Sequence, residues 1–133
     1  MKKLLVLSTA LLSGAICAAP LEAINLRAEA MNTIGLRNNV SYVTTNHHAG
    51  VRNNTDQTQQ IRVIYTICAK SCDGSHWYRV NIGPHGTWED GFTLHLSPTY
   101  STPGNYQIVA KTQVIGPYGL NQETSGYGNI QIN

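Results

Sequence analysis

Residues 60–69 read Gln-Ile-Arg-Val-Ile-Tyr-Thr-Ile-Cys-Ala, and this stretch decides the fold class. Every second side chain from Ile61 to Ile67 is large and apolar, whereas the side chains between them are mixed. Successive side chains of an extended chain point to opposite sides, so this period of two places the apolar set on one face. The stretch therefore predicts a β-strand that covers a hydrophobic core.

The same pattern recurs along the chain. Residues 77–82 follow a short turn and place Tyr78, Val80 and Ile82 on one face, which predicts an antiparallel partner strand that ends at the Gly- and Pro-rich residues 83–86. Other strands are predicted at residues 40–45, 51–53, 92–97, 106–114 and 130–132.

Residues 19–38 lack a clear pattern. Their few apolar side chains, such as Leu26, are too widely spaced to form the stripe of an amphipathic helix, so we expect at most one helical turn. We interpret this segment as an N-terminal lead-in or first strand. The strand that follows it is expected to be interrupted at His47 and His48.

Length, composition and strand spacing together favour one small domain. The chain has 133 residues with 12% charged and 41% hydrophobic side chains, which excludes a multidomain enzyme and charge-driven disorder. About seven short strands separated by Gly, Pro and Asn are typical of an antiparallel β-sandwich, and a small closed barrel is the alternative. We assign the sandwich domain to residues 39–133.

Two phrases carry a resemblance. Residues 51–55 read Val-Arg-Asn-Asn-Thr and precede the strand at residue 60, and residues 102–108 read Thr-Pro-Gly-Asn-Tyr-Gln-Ile and begin a late strand. Through these two phrases, most of the segment 40–133 resembles the immunoglobulin-like modules of bacterial surface and secreted proteins. The resemblance implies an all-β, antiparallel immunoglobulin-like β-sandwich of about seven strands, with the first phrase marking two paired strands. Such modules serve adhesion, binding, inhibition and scaffolding, so the resemblance indicates fold more than function.

Residues 1–18 have the anatomy of a bacterial secretory signal peptide. Two lysines precede about a dozen apolar residues and then small ones, and we expect cleavage after Ala18, with Ala23 as a less suitable site. The apolar run is shorter than the about 20 residues of a membrane-spanning helix, so we expect no membrane span. Ile16 stands where a lipoprotein would carry a small residue before Cys17, which disfavours lipidation. A secreted or periplasmic protein is predicted.

The charge of the exported chain excludes one class of partner. Removal of Lys2 and Lys3 with the signal peptide leaves seven basic and seven acidic side chains, and the arginines are scattered singly. Nucleic-acid binding requires a dense cationic face, so we expect no nucleic-acid partner.

Cys68 and Cys72 remain after cleavage. Export to an oxidising compartment predicts a disulfide between them, and a reactive or metal-binding pair is the alternative. The ring is small and would stabilise the fold by only about 2 kcal/mol. The two residues are too close in sequence to reproduce the inter-sheet disulfide of antibody domains.

Catalytic motifs are absent from the sequence. It contains no G-x-S-x-G, H-E-x-x-H, P-loop or G-x-G-x-x-G pattern. Glu89 and Asp90 form the only adjacent acidic pair; on a strand they would point to opposite faces, and we expect them to hydrate the turn before Gly91. We therefore predict a non-enzymatic protein without a cofactor.

Histidines supply the runner-up function, a periplasmic protein that binds copper or zinc. Loops at one end of a sandwich could gather several of them around a metal, although adjacent residues such as His47 and His48 would face opposite ways. The sequence lacks His-x-His and His-x-x-x-His spacing, so exposed polar side chains are the simpler interpretation. The candidate ligands are His47, His76, His85 and His95.

Aromatic residues supply the leading function, binding of a protein or glycan partner through loops and edge strands. Rings at strand starts and in Gly-rich loops are expected to be half exposed, where they anchor a protein or stack on a sugar. The alternative for Trp77 and Trp88 is that they complete the rim of the core. The candidates are Trp77, Trp88, Tyr100, Tyr118 and Tyr127, the last two in a predicted Gly-rich loop at residues 116–128.

We expect the protein to be a monomer or a weak homodimer. An uncovered edge strand, such as one at residues 130–133, could pair with the same strand of a second copy.

Overall fold

The computed structural model describes residues 18–38, 42–72 and 74–133. The predicted signal peptide, including Cys17, lies outside these ranges except for Ala18, and it stays a prediction. Within the described ranges no helix has the length and apolar character needed to cross a membrane.

Every regular element of the described chain is a β-strand. There are nine, compared with the about seven expected, because residues 19–38 contribute three short strands and the two strands expected at residues 40–45 and 51–53 are one strand, β4. The strands are β1 Leu21–Ala23, β2 Arg27–Ala30, β3 Thr33–Gly35, β4 Val43–Asn53, β5 Gln59–Cys68, β6 Gly74–Ile82, β7 Thr87–Leu96, β8 Gly104–Ile115 and β9 Asn121–Ile132.

The strands form the two sheets of a β-sandwich. In sheet 1, β4 is flanked by β1 and β2 on one side and by β7 on the other, and in sheet 2 the order is β3-β9-β8-β5-β6. All pairings are antiparallel except that of β3 with β9. If β4, β5, β7, β8 and β9 are taken as B, C, E, F and G, the connectivity agrees with an immunoglobulin-like sandwich, which confirms the predicted fold class.

The alternating positions of β5 form the centre of the core, as predicted. Ile61, Val63, Tyr65 and Ile67 are all buried, and β8 contributes a matching inward row that ends at Val114. β4 contributes a third buried row and runs through His47 and His48 without a break. The expected interruption was wrong because a histidine can remain in a buried strand when both ring nitrogens have hydrogen-bond partners.

The first resembling phrase does not mark two paired strands. Residues 51–53 end β4 in sheet 1, whereas β5 lies in sheet 2, so the two segments face each other across the core. Asn53 holds the crossing between them: its Nδ2 donates to the backbone oxygens of Gln57, Ile82 and Gly83 at 2.8, 3.0 and 3.0 Å. Its Oδ1 accepts from the backbone N–H of Thr55 at 2.9 Å.

The N-terminal segment passes from one sheet to the other. Between β1 and β2, residues 24–26 face only two residues of β4, which is a β-bulge, and the Ile24 N–H donates to the Gly50 carbonyl oxygen at 2.9 Å. After Ala30 the chain leaves sheet 1, and β3 joins sheet 2 at Thr33. Strands this short have no detectable period, which is why the sequence pattern did not reveal them.

Two glycines close one side of the sandwich. β9 begins at Asn121, so Gly126 and Gly128 lie within a strand and not in the predicted loop. A Cβ on Gly126 would collide with the Ala28 carbonyl group of β2, and a Cβ on Gly128 would lie 2.8 Å from the Ala30 carbonyl oxygen. The backbones of the two sheets can therefore approach here only because both side chains are missing.

Replacement of Gly126 by Ala is expected to open this closed side. The variant Gly126→Ala should lower the free energy of unfolding by about 2 to 4 kcal/mol, because β2 and β9 must move apart. Urea denaturation measures the change. The control Gly83→Ala adds the same methyl group where no atom lies within 4 Å, and it should alter stability by at most about 1 kcal/mol. Equal stabilities of the two variants would contradict the close approach.

Candidate functional site

The opposite side of the sandwich remains open. β6 is the edge strand of sheet 2 and β7 is the edge strand of sheet 1, and residues 83–86 connect them. In the described part of the chain, side chains and not strands fill the space between these two edges. Inward residues of β6 and β7 face the gap, and outward residues of β6 face solvent.

A stack of three rings crosses the open side. The Phe92 ring lies parallel to the Tyr65 ring, with centroids 5.3 Å apart, and parallel to the His76 ring, with centroids 4.5 Å apart. Tyr65 is buried and His76 is exposed, so the stack runs from the core to the surface. Trp88 packs edge-on against Tyr78 at 6.1 Å. These rings supply the apolar contacts that a further strand between β6 and β7 would provide.

Asp90 links the two edges with hydrogen bonds. The Tyr78 hydroxyl donates to Asp90 Oδ2 at 2.6 Å, and the two tyrosine hydroxyls lie 3.1 Å apart, so the Tyr65 hydroxyl donates to the Tyr78 oxygen. Burial raises the pKa of Tyr65 to about 12. Burial and the bond to Asp90 raise the pKa of Tyr78 further. Both phenols therefore stay protonated; the Tyr78 hydroxyl ties β6 to β7, and the Tyr65 hydroxyl of β5 donates to it.

Glu89 and Asp90 do point to opposite faces, but they lie within β7 and not in a turn. Glu89 is on the outer face of sheet 1, where its Oε1 accepts a hydrogen bond from Asn25 Nδ2 at 3.1 Å and lies 3.4 Å from His48 Nε2. The expectation that the pair hydrates a turn was wrong, because Asp90 is directed toward the tyrosines between the sheets.

The outward faces of β5 and β6 carry an arginine–tryptophan cluster, which we define as Arg62 of β5 with Trp77 and Arg79 of β6. The Trp77 side chain is 51% exposed, although its neighbours Tyr78 and Val80 face inward. The Cζ atoms of Arg62 and Arg79 lie 5.3 and 5.1 Å from the centroid of the Trp77 ring. Both distances fall within the range of cation–π contacts, so the three side chains support one another on the surface.

The five predicted aromatic candidates do not form one site. Trp88 is half-buried at the rim of the core, as the alternative interpretation held, whereas Trp77 is exposed. Tyr100 is only 2% exposed and packs in a second core cluster with Val43 and Ile67, so its expected exposure was wrong. Its ring also packs against Tyr106 of β8, with centroids 4.4 Å apart.

The remaining two tyrosines are exposed, at 62% for Tyr118 and 66% for Tyr127. Tyr118 lies in the turn between β8 and β9 with a φ of 60°, and its hydroxyl oxygen accepts from Gln59 Nε2 at 3.3 Å. Tyr127 lies on the strand β9, outside the turn. Neither residue belongs to the arginine–tryptophan cluster.

The four candidate metal ligands lie in different places. His47 is buried in β4, His76 is part of the ring stack, His85 pairs with Asp56 in the turns at 2.6 Å, and His95 stacks on Tyr42 on sheet 1. Among the described residues no three His, Cys, Asp or Glu side chains gather as metal ligands would. The structure therefore does not bring the runner-up site together.

His47 has a structural environment. The Thr112 hydroxyl donates to the Arg27 carbonyl oxygen, so its oxygen accepts from His47 Nδ1 at 3.0 Å, and His47 Nε2 accepts from the Thr45 hydroxyl at 2.7 Å. Burial lowers the pKa of His47 from 6.5 to about 4, and a hydrogen bond to the Lys111 backbone offsets part of this effect. The ring is neutral when the protein is folded at neutral pH.

The predicted disulfide is confirmed. Cys68 and Cys72 are bonded, with their Cα atoms 4.1 Å apart, directly after β5. The ring makes a turn before β6, which returns antiparallel to β5. It lies at one end of sheet 2 and constrains the β5–β6 hairpin.

Sequence reasoning missed Arg62, Arg79, Tyr65, Tyr78 and Asp90 as members of surface or gap clusters. The available signal was the alternation in residues 60–69 and 77–82, which places the two arginines on the outward faces of adjacent strands. Whether the two arginines lie side by side also depends on the register of β5 and β6, which a single strand's pattern does not give.

Comparisons with known proteins establish no family. No protein-family model and no curated protein matches the sequence. Similar solved structures are an alkylpurine DNA glycosylase of Pseudomonas fluorescens (12% identity, 89% of this chain and 32% of that chain, TM-score 0.49) and a putative β-galactosidase from Bacteroides fragilis (14% identity, 83% and 16%, TM-score 0.45). A calcium-binding mutant of Bacteroides uniformis β-glucuronidase 2 matches with 12% identity over 77% of this chain and 12% of that chain, with a TM-score of 0.49. The chain spans a third or less of each of these proteins, and such likenesses support no functional conclusion.

The tyrosine–carboxylate bond should contribute measurably to stability. Replacement Tyr78→Phe removes the donor to a partly buried carboxylate, so the free energy of unfolding should fall by about 1 to 3 kcal/mol. Denaturant titration checks this value. The control Tyr127→Phe removes an exposed hydroxyl and should change stability by less than about 0.5 kcal/mol. A Tyr78→Phe variant as stable as wild type would contradict the link between β6 and β7.

Acid should destabilise the fold through His47. The folded-state pKa is depressed to about 4, so the unfolded chain takes up the proton first, and stability present above pH 6.5 is lost as the pH falls toward 4. Between pH 7.5 and 4.5 this loss amounts to about 2 to 3 kcal/mol. Urea titrations at both pH values should show a correspondingly smaller loss in His47→Gln. An identical pH dependence in the two proteins would contradict the burial of a neutral ring.

Proposed function

We propose that this chain is a small, exported, non-enzymatic binding protein that recognises a protein or glycan partner through the edge strand β6 and its outward face. The observation that carries the proposal is the exposed Trp77 ring, with two guanidinium groups beside it, on the edge strand of sheet 2. Tryptophan and arginine are the residue types most often found at the centres of binding surfaces.

Secretion into the extracellular space or periplasm is part of the proposal. It rests on the signal-peptide pattern of residues 1–18, and the Cys68–Cys72 disulfide is compatible with an oxidising compartment. The bacterial origin rests on the same pattern.

The open side of the sandwich supports a binding role for β6. The ring stack and the Tyr78–Asp90 bond hold the strand from its inner side, so that its outward side chains are presented on a rigid support. A preorganised surface loses little conformational entropy on binding. The Asp90 carboxylate and the Tyr65 and Tyr78 hydroxyl groups thus have a structural role in holding β6 in place.

The proposal predicts that binding depends on Trp77. The exported chain, residues 19–133, is tested against a glycan array and against proteins of the bacterial and host cell surface, and the affinity of each ligand found is measured by biolayer interferometry. Replacement Trp77→Ala should weaken binding by about tenfold or more, because the ring supplies the buried contact area.

Tyr127→Ala is the matched control, since it removes a comparably exposed ring from the far part of the same sheet. It should leave the affinity within about twofold. The proposal is wrong if the chain binds none of the glycans or proteins, or if both variants bind as wild type does.

A further inference from the structure

Arg62 and Arg79 lie directly opposite each other in the β5–β6 pairing. Like charges at opposite positions of two antiparallel strands destabilise the pairing. Both guanidinium groups nevertheless lie over the Trp77 ring, where the ring face offsets part of the repulsion. The sheet thus holds two cations together at a cost in folding free energy.

Acidic side chains of the same sheet do not neutralise this pair. Among the five strands of sheet 2, the one acidic residue is Glu123 on β9, and its carboxylate lies 3.8 Å from Lys111 Nζ. Within the described residues the ion pairs of arginine are limited to that of Arg52 with Glu22. The two guanidinium groups of the cluster are therefore left for an external anion.

We infer that the arginine–tryptophan cluster binds an acidic oligosaccharide, with its carboxylate or sulfate at Arg62 and Arg79 and a sugar ring against Trp77. A guanidinium group offers parallel N–H donors that match the oxygens of a carboxylate or sulfate. An exposed indole offers an apolar surface to the C–H face of a pyranose. This inference rests on the proposed function and names the ligand class of the same site.

Neighbouring side chains add hydrogen-bonding groups for sugar hydroxyls. Gln60 and Asn81 form an amide pair one row from the arginines, with Nε2 and Oδ1 3.1 Å apart. Gln113 lies beside Ile64, which is opposite Trp77 in the β5–β6 register. Three amide side chains thus lie around the cluster on the outward face, and they suit a polyhydroxylated ligand.

The sparse charge argues against nucleic acid as the occupant. The exported chain has no net charge, and the cluster contains two cations instead of the extended cationic face that binds a phosphate backbone. Two adjacent guanidinium groups match one acidic group on a sugar ring, with the remaining affinity supplied by Trp77.

The test compares ligands that differ only in their acidic groups. Affinities of residues 19–133 are measured by isothermal titration calorimetry for an oligogalacturonate and its fully methyl-esterified counterpart, for dextran sulfate and dextran, and for single-stranded DNA. At least one acidic carbohydrate should bind about tenfold or more tightly than its neutral counterpart and than DNA. Added salt should weaken this binding.

Variants assign the preference to the cluster. The double variant Arg62→Gln, Arg79→Gln should lose about tenfold or more in affinity for the acidic carbohydrate, while Lys111→Gln, which removes a cation from the same sheet face, should change it by less than about twofold. Thermal unfolding of each variant verifies the fold. If the double variant does not fold, Arg62→Gln and Arg79→Gln are measured singly.

The outcomes separate this inference from the proposed function. Equal affinity for acidic and neutral carbohydrates, equal affinity for DNA, or an unchanged affinity in the arginine variants would overturn the inference. A protein or neutral glycan whose binding requires Trp77 would then leave the proposed function standing. Failure of every ligand class would overturn both.

Discussion

The close approach of β2 to β9 is the constraint on which the rest of the structure depends. Gly126 and Gly128 lack the side chains that would separate the two backbones, so the sheets meet along this side. The close contact also lets the N-terminal segment cross between the sheets. β2 pairs in sheet 1 while it packs on β9, and the chain then continues into β3, which pairs with β9 in sheet 2. The opposite side has no such contact in the described chain, and aromatic rings span it.

Polar groups also specify the interior. His47 is buried near the middle of β4 and Asn53 at its end; His47 bonds to Thr112 of β8, and Asn53 bonds to the backbone of residues 82 and 83 at the end of β6. Satisfied polar networks are intolerant of shifts in register, because a displaced strand would leave donors unpaired. The long strand β4 is thereby aligned with both the β6–β7 turn and β8.

Local sequence patterns predicted the long strands. They did not predict strand register or which sheet each segment packs against. The alternation from Ile61 to Ile67 identified β5 and its buried face, since the period of two is a property of a single strand. The burial of Tyr100 could not be predicted in the same way, because it depends on which sheet lies beneath the segment before β8. The pairing of Arg62 with Arg79 follows from the register that the Cys68–Cys72 turn sets.

Arg79 also bears on how copies of the protein behave at high concentration. The outer backbone edge of β6 is unpaired within the described chain, and a strand edge of this kind is a template for pairing with another molecule. A cation on an edge strand disfavours pairing with an identical strand, so the residue that we propose as an anion contact would also oppose self-association. Under that proposal, selection for solubility and selection for ligand recognition would act on the same side chain.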